Sequence, residues 1–277
     1  FLTDRAKKRG RGNPPNWQAC RSSAFVGADR RAPTARKRLP KGESGHYKHK
    51  RTMPTGQHFA SQGDRQDNPA GIAARPGIRG NDGMKAIFDD RQWKHQPRHF
   101  MANGAILPNP EQAERINRLL SGARNAGCSV SAPTDAGLGP IAALHSPEYL
   151  VFLETIHNRW RRIDGAGEEV IPNIHPANRS DSYPRSAVGQ AGYHQADTAC
   201  PIAEGTWEAA YWSAQTAISG ADLLLAGERS AYALSRPPGH HAFGDLAGGF
   251  CFLNNSAIAA ERLRARGLRP AILDVDV

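Results

Sequence analysis

Three features of the sequence predict an α/β fold with a parallel sheet over residues 84–277, preceded by a disordered basic segment over residues 1–83. A strand–helix–strand pattern closes the chain between residues 230 and 277, the signature of parallel strands joined by right-handed crossovers. Long stretches upstream carry apolar residues at helical spacing, and short apolar runs bounded by turn residues lie between them. The first 83 residues show neither period and are rich in Gly, Pro, Ser, Gln and Asn.

From Met84 the elements follow in order. Residues 84–88 read as a short strand, and a polar loop is expected from there to about residue 108. Asn109-Pro110-Glu111-Gln112 is a helix start, with Asn as N-cap and Pro at the first position. Ile116, Leu119, Leu120 and Ala123 give that helix an apolar face, and Gly127 closes it. A second helix starts near Ser146-Pro147-Glu148 and buries Tyr149, Leu150, Phe152, Leu153, Ile156 and Trp160. Residues 164–200 read as one long connection of a functional or mobile kind. A third helix is predicted over Thr206 to Ala226, a strand over 230–235, a helix from Asn254 to Arg266, and a buried strand over Ala271–Val277.

Charge divides the chain sharply. Residues 1–83 hold 18 Lys/Arg against 6 Asp/Glu, whereas residues 84–277 hold 18 against 20, so the net charge of +10 arises entirely in the first segment. Such a composition buries too little apolar surface to offset its ordering entropy. A basic arm carrying Arg5, Lys7, Lys8, Arg9, Arg11 and Arg36-Lys37-Arg38 could bind nucleic acid or acidic partners. Without repeated spacing or aromatic interleaving, the preferred reading is a solvated tail or sequence lying upstream of a start at Met84. Cysteines 20, 128, 200 and 251 form no Cys-x-x-Cys pair and suit a reducing compartment. No apolar run reaches membrane-spanning length and no signal-peptide pattern opens the chain, so a cytoplasmic protein is expected.

The chemistry concentrates late in the chain. Arg236-Pro237-Pro238-Gly239-His240-His241-Ala242 sets two histidines on a Pro/Gly turn, and Gly248-Gly249-Phe250-Cys251-Phe252-Leu253-Asn254-Asn255 follows. Asp274 and Asp276 end the last strand on one face, because strand side chains alternate. Both groups fall at or beyond strand ends, where open parallel sheets bind ligands. Two like carboxylates on one face repel unless a cation or donor separates them. A metal at Asp276 and a histidine partner for Asp274 satisfy that requirement, and nearby imidazoles can then move protons to and from a metal-bound water. Each feature alone has a plainer meaning: Asp-x-Asp as a loop-ordering device, His-His as packing, Gly-Gly as a turn, Phe250 and Phe252 as core. Cys251 reads as an inert small side chain, and His145 and His194 as structural or surface residues.

Taken together, in this order and spacing, these blocks closely resemble the histone deacetylase superfamily. Asn254-Asn255 and Gly205-Thr206-Trp207-Glu208-Ala209-Ala210 are most similar to bacterial acetylpolyamine amidohydrolases, and the stretches Ser146 to Thr155 and Asp197 to Pro201 extend the likeness over residues 84–277. The resemblance implies a three-layer, arginase/deacetylase-like parallel-sheet fold, here incomplete, and zinc-dependent hydrolysis of the acetamide of an acetylated amine, either an acetylpolyamine or acetyl-lysine. By motif position it makes His241 the general base and acid, His240 the second histidine near the developing oxyanion, Asp274 the group that orients His240, and Asp276 a zinc ligand. Gly249 and Phe250 would line the substrate channel, with Asp197 in a loop approaching the substrate. Ferrous iron could replace Zn2+, and a structural K+ would lie near Asp274. A two-metal ureohydrolase of the same fold fits less well, since the tandem histidines suit one metal and a histidine base.

Departures from the family pattern set further expectations. The resemblance calls for a histidine ligand directly after the last strand, then a second aspartate ligand and a tyrosine, and none lies within residues 1–277. The isolated chain is therefore expected to bind zinc poorly, to be inactive and to aggregate through an exposed apolar edge. The rival reading is a non-catalytic truncated remnant or basic-tailed binding protein, distinguished by the codons that follow Val277. Asp89, Asp90 and Asp197 are candidates for an acidic channel mouth, but Ser186-Ala187-Val188 stands where polyamine-selective relatives carry an acidic residue. Homo-oligomer formation by the complete protein is left open.

Overall fold

The computed structural model describes residues 25–29, 83–180 and 182–276. The strands are β1 (Phe25–Asp29), β2 (Lys85–Ile87), β3 (His99–Ala102), β4 (Ala105–Pro108), β5 (Ser129–Ser131), β6 (Ala231–Ala233) and β7 (Arg269–Leu273). The helices are α1 (Glu114–Asn125), α2 (Gly139–Ala142), α3 (Pro147–Trp160), α4 (Ala187–His194), α5 (Thr206–Ala226) and α6 (Asn255–Arg264), with a 3-10 turn at Asp90–Lys94.

A parallel sheet of order β5-β2-β6 lies at the centre, with Ala86 opposite Val130 on one side and Tyr232 on the other. Strand alternation assigns its two faces. Ala86, Val130, Tyr232 and, just beyond β6, Leu234 pack with Ile116, Leu120 and Ala123 of α1. Ile87, Ala231 and Ala233 turn the other way toward Gly220 of α5, where an added Cβ would lie 3.6 Å from that of Ala233. Helix, sheet and helix thus form three layers. Beyond α5 the main core joins Tyr149, Phe152, Leu153 and Ile156 of α3 to Ala210, Ala214 and Ile218 of α5 and to Phe252, Leu253 and Ile258. Tyr149 donates its hydroxyl proton to the Phe252 carbonyl at 2.7 Å, so this buried phenol is satisfied inside the core.

The locally encoded helices lie where the sequence places them. Ser146 caps α3 by accepting from the Tyr149 amide at 3.3 Å, and all six predicted inward residues of α3 are buried. Asn254 caps α6 by accepting from the Ala257 amide at 3.0 Å, and α5 has its predicted bounds. Helix α1 begins later than Asn109, whose side chain instead accepts from the Glu111 amide at 2.9 Å, and Leu119 faces solvent.

Three expectations require correction. The polar loop before residue 108 contains the β3–β4 hairpin, turned by Asn103 (φ 52°) and Gly104 (φ 75°), a dipeptide suited to a type I′ turn. The long connection over 164–200 contains α4, capped by Ser186, which accepts from the Gly189 amide at 3.0 Å. The last strand is not buried and does not join β6: β7 pairs antiparallel with β1, and Ile272, Leu273 and Val275 are exposed. Its backbone groups need partners, and in the described residues β1 supplies them. The expectation of disorder over residues 1–83, with its basic clusters, otherwise lies outside the described residues. Among the described residues no helix is long and apolar enough to cross a membrane.

His95, His145 and His194 are all buried, and burial holds each imidazole below its usual pKa of 6.5, with the Arg236 guanidinium adding to the effect at His95. Unfolding restores the ordinary value, so below it the unfolded chain binds more protons than the folded one. Stability is thus full above pH 6.5 and falls as pH drops below that value toward the lowered folded ones. Urea midpoints should be lower at about pH 5.5 than at about pH 7.5, and His95→Gln should flatten that slope; an unchanged slope would exclude His95 as a contributor.

Candidate active site

The turn carrying the two histidines is set by buried polar contacts. Arg236, only 5% exposed, directs its guanidinium Nε to Glu111 Oε1 at 2.9 Å and Nη1 to the Gln92 carbonyl at 3.1 Å. Its amide donates to Gln92 Oε1 at 2.6 Å, so the side chain of one buried glutamine registers the turn against the loop after β2. The Pro237 carbonyl accepts from Ser213 Oγ at 2.9 Å and Asn255 Nδ2 at 3.3 Å, fixing the turn to α5 and to the start of α6.

His240 and His241 leave this turn with ring centroids 4.2 Å apart and planes at 66°. His240 Nδ1 lies 2.8 Å from Asp274 Oδ2, and its Nε2 lies 3.6 Å from Asp276 Oδ2. Residues 34 apart in sequence thus meet at one imidazole, with both carboxylates of the Asp-x-Asp pair facing it. The Asp276 amide donates to Asp274 Oδ1 at 3.1 Å. That amide, and then the His240 and His241 imidazoles, hold the Asp274 carboxyl below the usual carboxylate range. An Asp274 that stays ionised keeps the His240 ring in a fixed orientation and favours a proton on Nδ1.

Beside the pair, Gly248, Gly249, Phe250 and Cys251 make a tight turn. Gly248 and Cys251 exchange backbone hydrogen bonds of 3.1 and 2.8 Å, and both central residues have positive φ, 52° at Gly249 and 66° at Phe250. A left-handed phenylalanine carries roughly 1 kcal/mol or more of strain and persists only where its surroundings hold it. Asp197 is one such support: its Oδ2 accepts from the Gly249 amide at 2.8 Å and its Oδ1 from the Ala199 amide at 2.8 Å. Glycine is required at 249 for a second reason, since a Cβ there would stand 2.5 Å from His241 Cδ2. His241, Gly249, Phe250 and Asp197 therefore adjoin one another.

Of the residues expected at an acidic channel mouth, Asp89 requires correction. Asp89 is buried, accepting from the Arg91 amide at 2.9 Å and pairing with its guanidinium at 2.7 Å, so it cannot supply an acidic mouth. Asp90 is exposed, and Ser186-Ala187-Val188 opens α4. His145 and His194 are structural: His145 Nε2 accepts from the Asn254 amide at 3.0 Å, while His194 bridges the Tyr183 hydroxyl at 2.9 Å and the Asp245 carbonyl at 2.8 Å. Cys251 is wholly buried. The residues that sequence reasoning passed over are Glu111 and Gln92, which hold Arg236, and Phe100, whose ring lies 5.9 Å from that of Phe250. Asn103-Gly104 was the available signal for the hairpin that brings Phe100 there.

As a metal site, the described residues fall short of a complete donor set. Asp276 offers one carboxylate beside His240, and among the described residues no group of three or more His, Cys, Asp or Glu side chains is gathered to hold an ion. A tightly bound catalytic zinc takes three protein ligands.

The parallel three-layer fold and this histidine–aspartate constellation define a deacetylase-type chain, and comparison agrees. The histone deacetylase domain model matches residues 109–277, and the chain belongs to that family. An acetylpolyamine amidohydrolase of Burkholderia pseudomallei (strain 1710b) is 46% identical over 195 residues, covering 70% of this chain and 57% of that protein. The acetylpolyamine amidohydrolase of Mycoplana ramosa is 39% identical over 195 residues, with the same shares of 70% and 57%. The crystal structure of an acetylpolyamine aminohydrolase from Burkholderia pseudomallei matches with a TM-score of 0.64 at 46% identity, over 66% of this chain and 54% of that one. The fold is thus arginase/deacetylase-like, and the chain spans 57% of the length of these curated relatives.

Gly249→Ala should force the His241 ring out of place at a stability loss of about 1–3 kcal/mol. Urea unfolding, with the His241 ring signals followed by NMR, checks both effects; an unmoved ring would show that the contact is not tight.

Proposed function

We propose that this chain carries the proton-handling half of a zinc-dependent amide hydrolase that removes the acetyl group from acetylated amines, acetylpolyamines or acetyl-lysine. The observation that carries the reading is the contact of His240 with Asp274, with Asp276 alongside and His241 adjoining. Membership in the histone deacetylase family and the similarity to two proteins named acetylpolyamine amidohydrolase support it.

In this reading His241, the exposed member of the pair, takes a proton from the attacking water and returns one to the departing amine. His240, oriented by Asp274, stands near the oxyanion that develops on the acetyl carbonyl and, when both ring nitrogens carry protons, donates to it from Nε2. Gly249, Phe250 and Asp197 border the path of the acylated amine. Asp276 is the one ligand assigned to zinc, or to ferrous iron in its place, and K+ would lie near Asp274. The site's chemistry suits a small acetylated amine or an acetyl-lysine side chain, and a cytoplasmic setting fits the free cysteines among the described residues.

In the active protein, His241→Ala should reduce hydrolysis of acetylputrescine and of an acetyl-lysine peptide by about 10²–10⁴-fold without unfolding it. Turnover retained by that variant would sink the role assignment, and the ratio of the two wild-type rates identifies the preferred substrate.

We further propose that the 277-residue chain by itself binds zinc weakly and is inactive, since Asp276 is a single assigned ligand. A zinc titration of that chain should show no tight stoichiometric site; one tight site per chain would overturn this.

A further inference from the structure

The two histidines occupy the middle of a tight turn. The Ala242 amide donates to the Gly239 carbonyl at 3.0 Å, closing Gly239-His240-His241-Ala242 on itself. The Ala242 carbonyl accepts from Asn254 Nδ2 at 2.9 Å, so the far end of the turn is held by the residue that caps α6. The Asn254 backbone amide donates in turn to His145 Nε2 at 3.0 Å. His145 and His241 lie far apart in sequence, yet one asparagine connects them.

The chain around His145 is fixed on both sides of the ring. Its amide donates to the Ile141 carbonyl of α2 at 3.0 Å, and the next residue, Ser146, donates its amide to the Gly244 carbonyl at 2.9 Å. Residues 144–146 therefore grip the loop after His241 while the imidazole reaches Asn254. His145 is only 2% exposed, so the Asn254 amide has this ring, not solvent, as its partner.

A ring nitrogen that accepts a hydrogen bond keeps its lone pair, so the neutral His145 ring carries its proton on Nδ1. A second proton would set a donor against a donor and break the contact. Burial favours the neutral ring and holds its pKa below 6.5, against the opposing pull of the Gly244 and Phe243 backbone and the Asp245 carboxylate. The titratable and charged groups that face the ring are Asp245, paired with Arg179 at 2.7 Å, and Tyr149 of α3, whose ring centroid lies 5.6 Å away. From the start of α6 it meets the Asn254 amide.

We propose that His145 is a positioning residue for His241: uncharged, it fixes Asn254, Asn254 holds Ala242, and the histidine turn is thereby set, whereas a second proton on the ring releases these contacts. The expected effect on turnover rests on the amide-hydrolase reading above.

Two measurements test this. In the 277-residue chain, NMR follows the His145 ring and the Asn254 and Ala242 amides from about pH 7.5 to about pH 5. The Asn254 amide proton should move upfield, as a lost hydrogen bond requires, with the same midpoint as the His145 ring, and the Ala242 amide should move with it. His145→Gln keeps an acceptor that does not titrate, so in that variant both amides should stay in place. The second measurement is kinetics of the active protein with the better substrate of acetylputrescine and an acetyl-lysine peptide. At about pH 7.5, His145→Leu should lower kcat about tenfold, with KM changed by less than about twofold. His145→Gln should recover most of that loss, and its log kcat should fall toward acid pH with a slope about one unit shallower than in the wild type.

Wild-type Asn254 and Ala242 amides that ignore the His145 titration overturn the proposal. So does a kcat in folded His145→Leu equal to the wild type, or an acid slope unchanged in His145→Gln. If His145→Leu does not fold, the NMR titration and the slope of His145→Gln decide. A wild-type protein that hydrolyses neither substrate removes the hydrolase reading, and the NMR titration then decides the positioning role by itself.

Discussion

The buried ion pair between Arg236 and Glu111 is the constraint on which the site depends. Both side chains are almost wholly withdrawn from water, and the guanidinium also reaches the Gln92 carbonyl. Burying two charges is expensive, and such a pair gives little net stability relative to apolar residues of the same size. Its value here is geometric. Leaving either charge alone in that position costs about 3–5 kcal/mol, so the turn after β6 has one strongly preferred placement against the loop after β2. His95 lies next to the same carboxylate, its Nε2 3.8 Å from Glu111 Oε2, and burial keeps it in its neutral form.

From that anchor the arrangement spreads in short steps. The Pro237 carbonyl takes hydrogen bonds from Ser213 and Asn255, which ties the turn to α5 and to α6 together. Asn254 caps α6 with its oxygen and donates its side-chain amide to the Ala242 carbonyl at 2.9 Å, one residue past His241. The two asparagines thus frame the histidines on either side. On the far side, Arg179 pairs with Asp245 at 2.7 Å and stacks over Tyr193, while the Ala247 amide donates to the His194 carbonyl at 2.8 Å. The Gly249-Phe250 turn is therefore held from α4 as well as from Asp197, and the exposed His241 sits on a rigid frame.

Parts of the site were legible from the residues because their logic is local or compact. Two histidines on a Pro/Gly turn, a Gly-Gly turn before Phe250 and an Asp-x-Asp pair at a strand end each name a chemistry. Asp197 had only irregular spacing to recommend it, yet its carboxylate lies on the Gly249 amide. Asp89 had the right charge for a channel mouth, but an adjacent arginine claims it. Phe100 was hidden in a stretch that looks like polar loop, because a four-residue strand with a two-residue turn leaves almost no periodic signal.

The sequence by itself determined the helices α3, α5 and α6, their caps at Ser146 and Asn254, the α/β class and the family, because capping and apolar period act over a few residues. The tertiary structure alone decided which groups meet: Asp274 with His240 across 34 positions, Arg236 with Glu111 across 125, and Gly249 with Asp197 across 52. It also decided that β7 pairs with β1 rather than lying beside β6. These contacts are set by how layers stack and which backbone edges find partners. Such long-range choices leave no mark on the spacing of neighbouring residues.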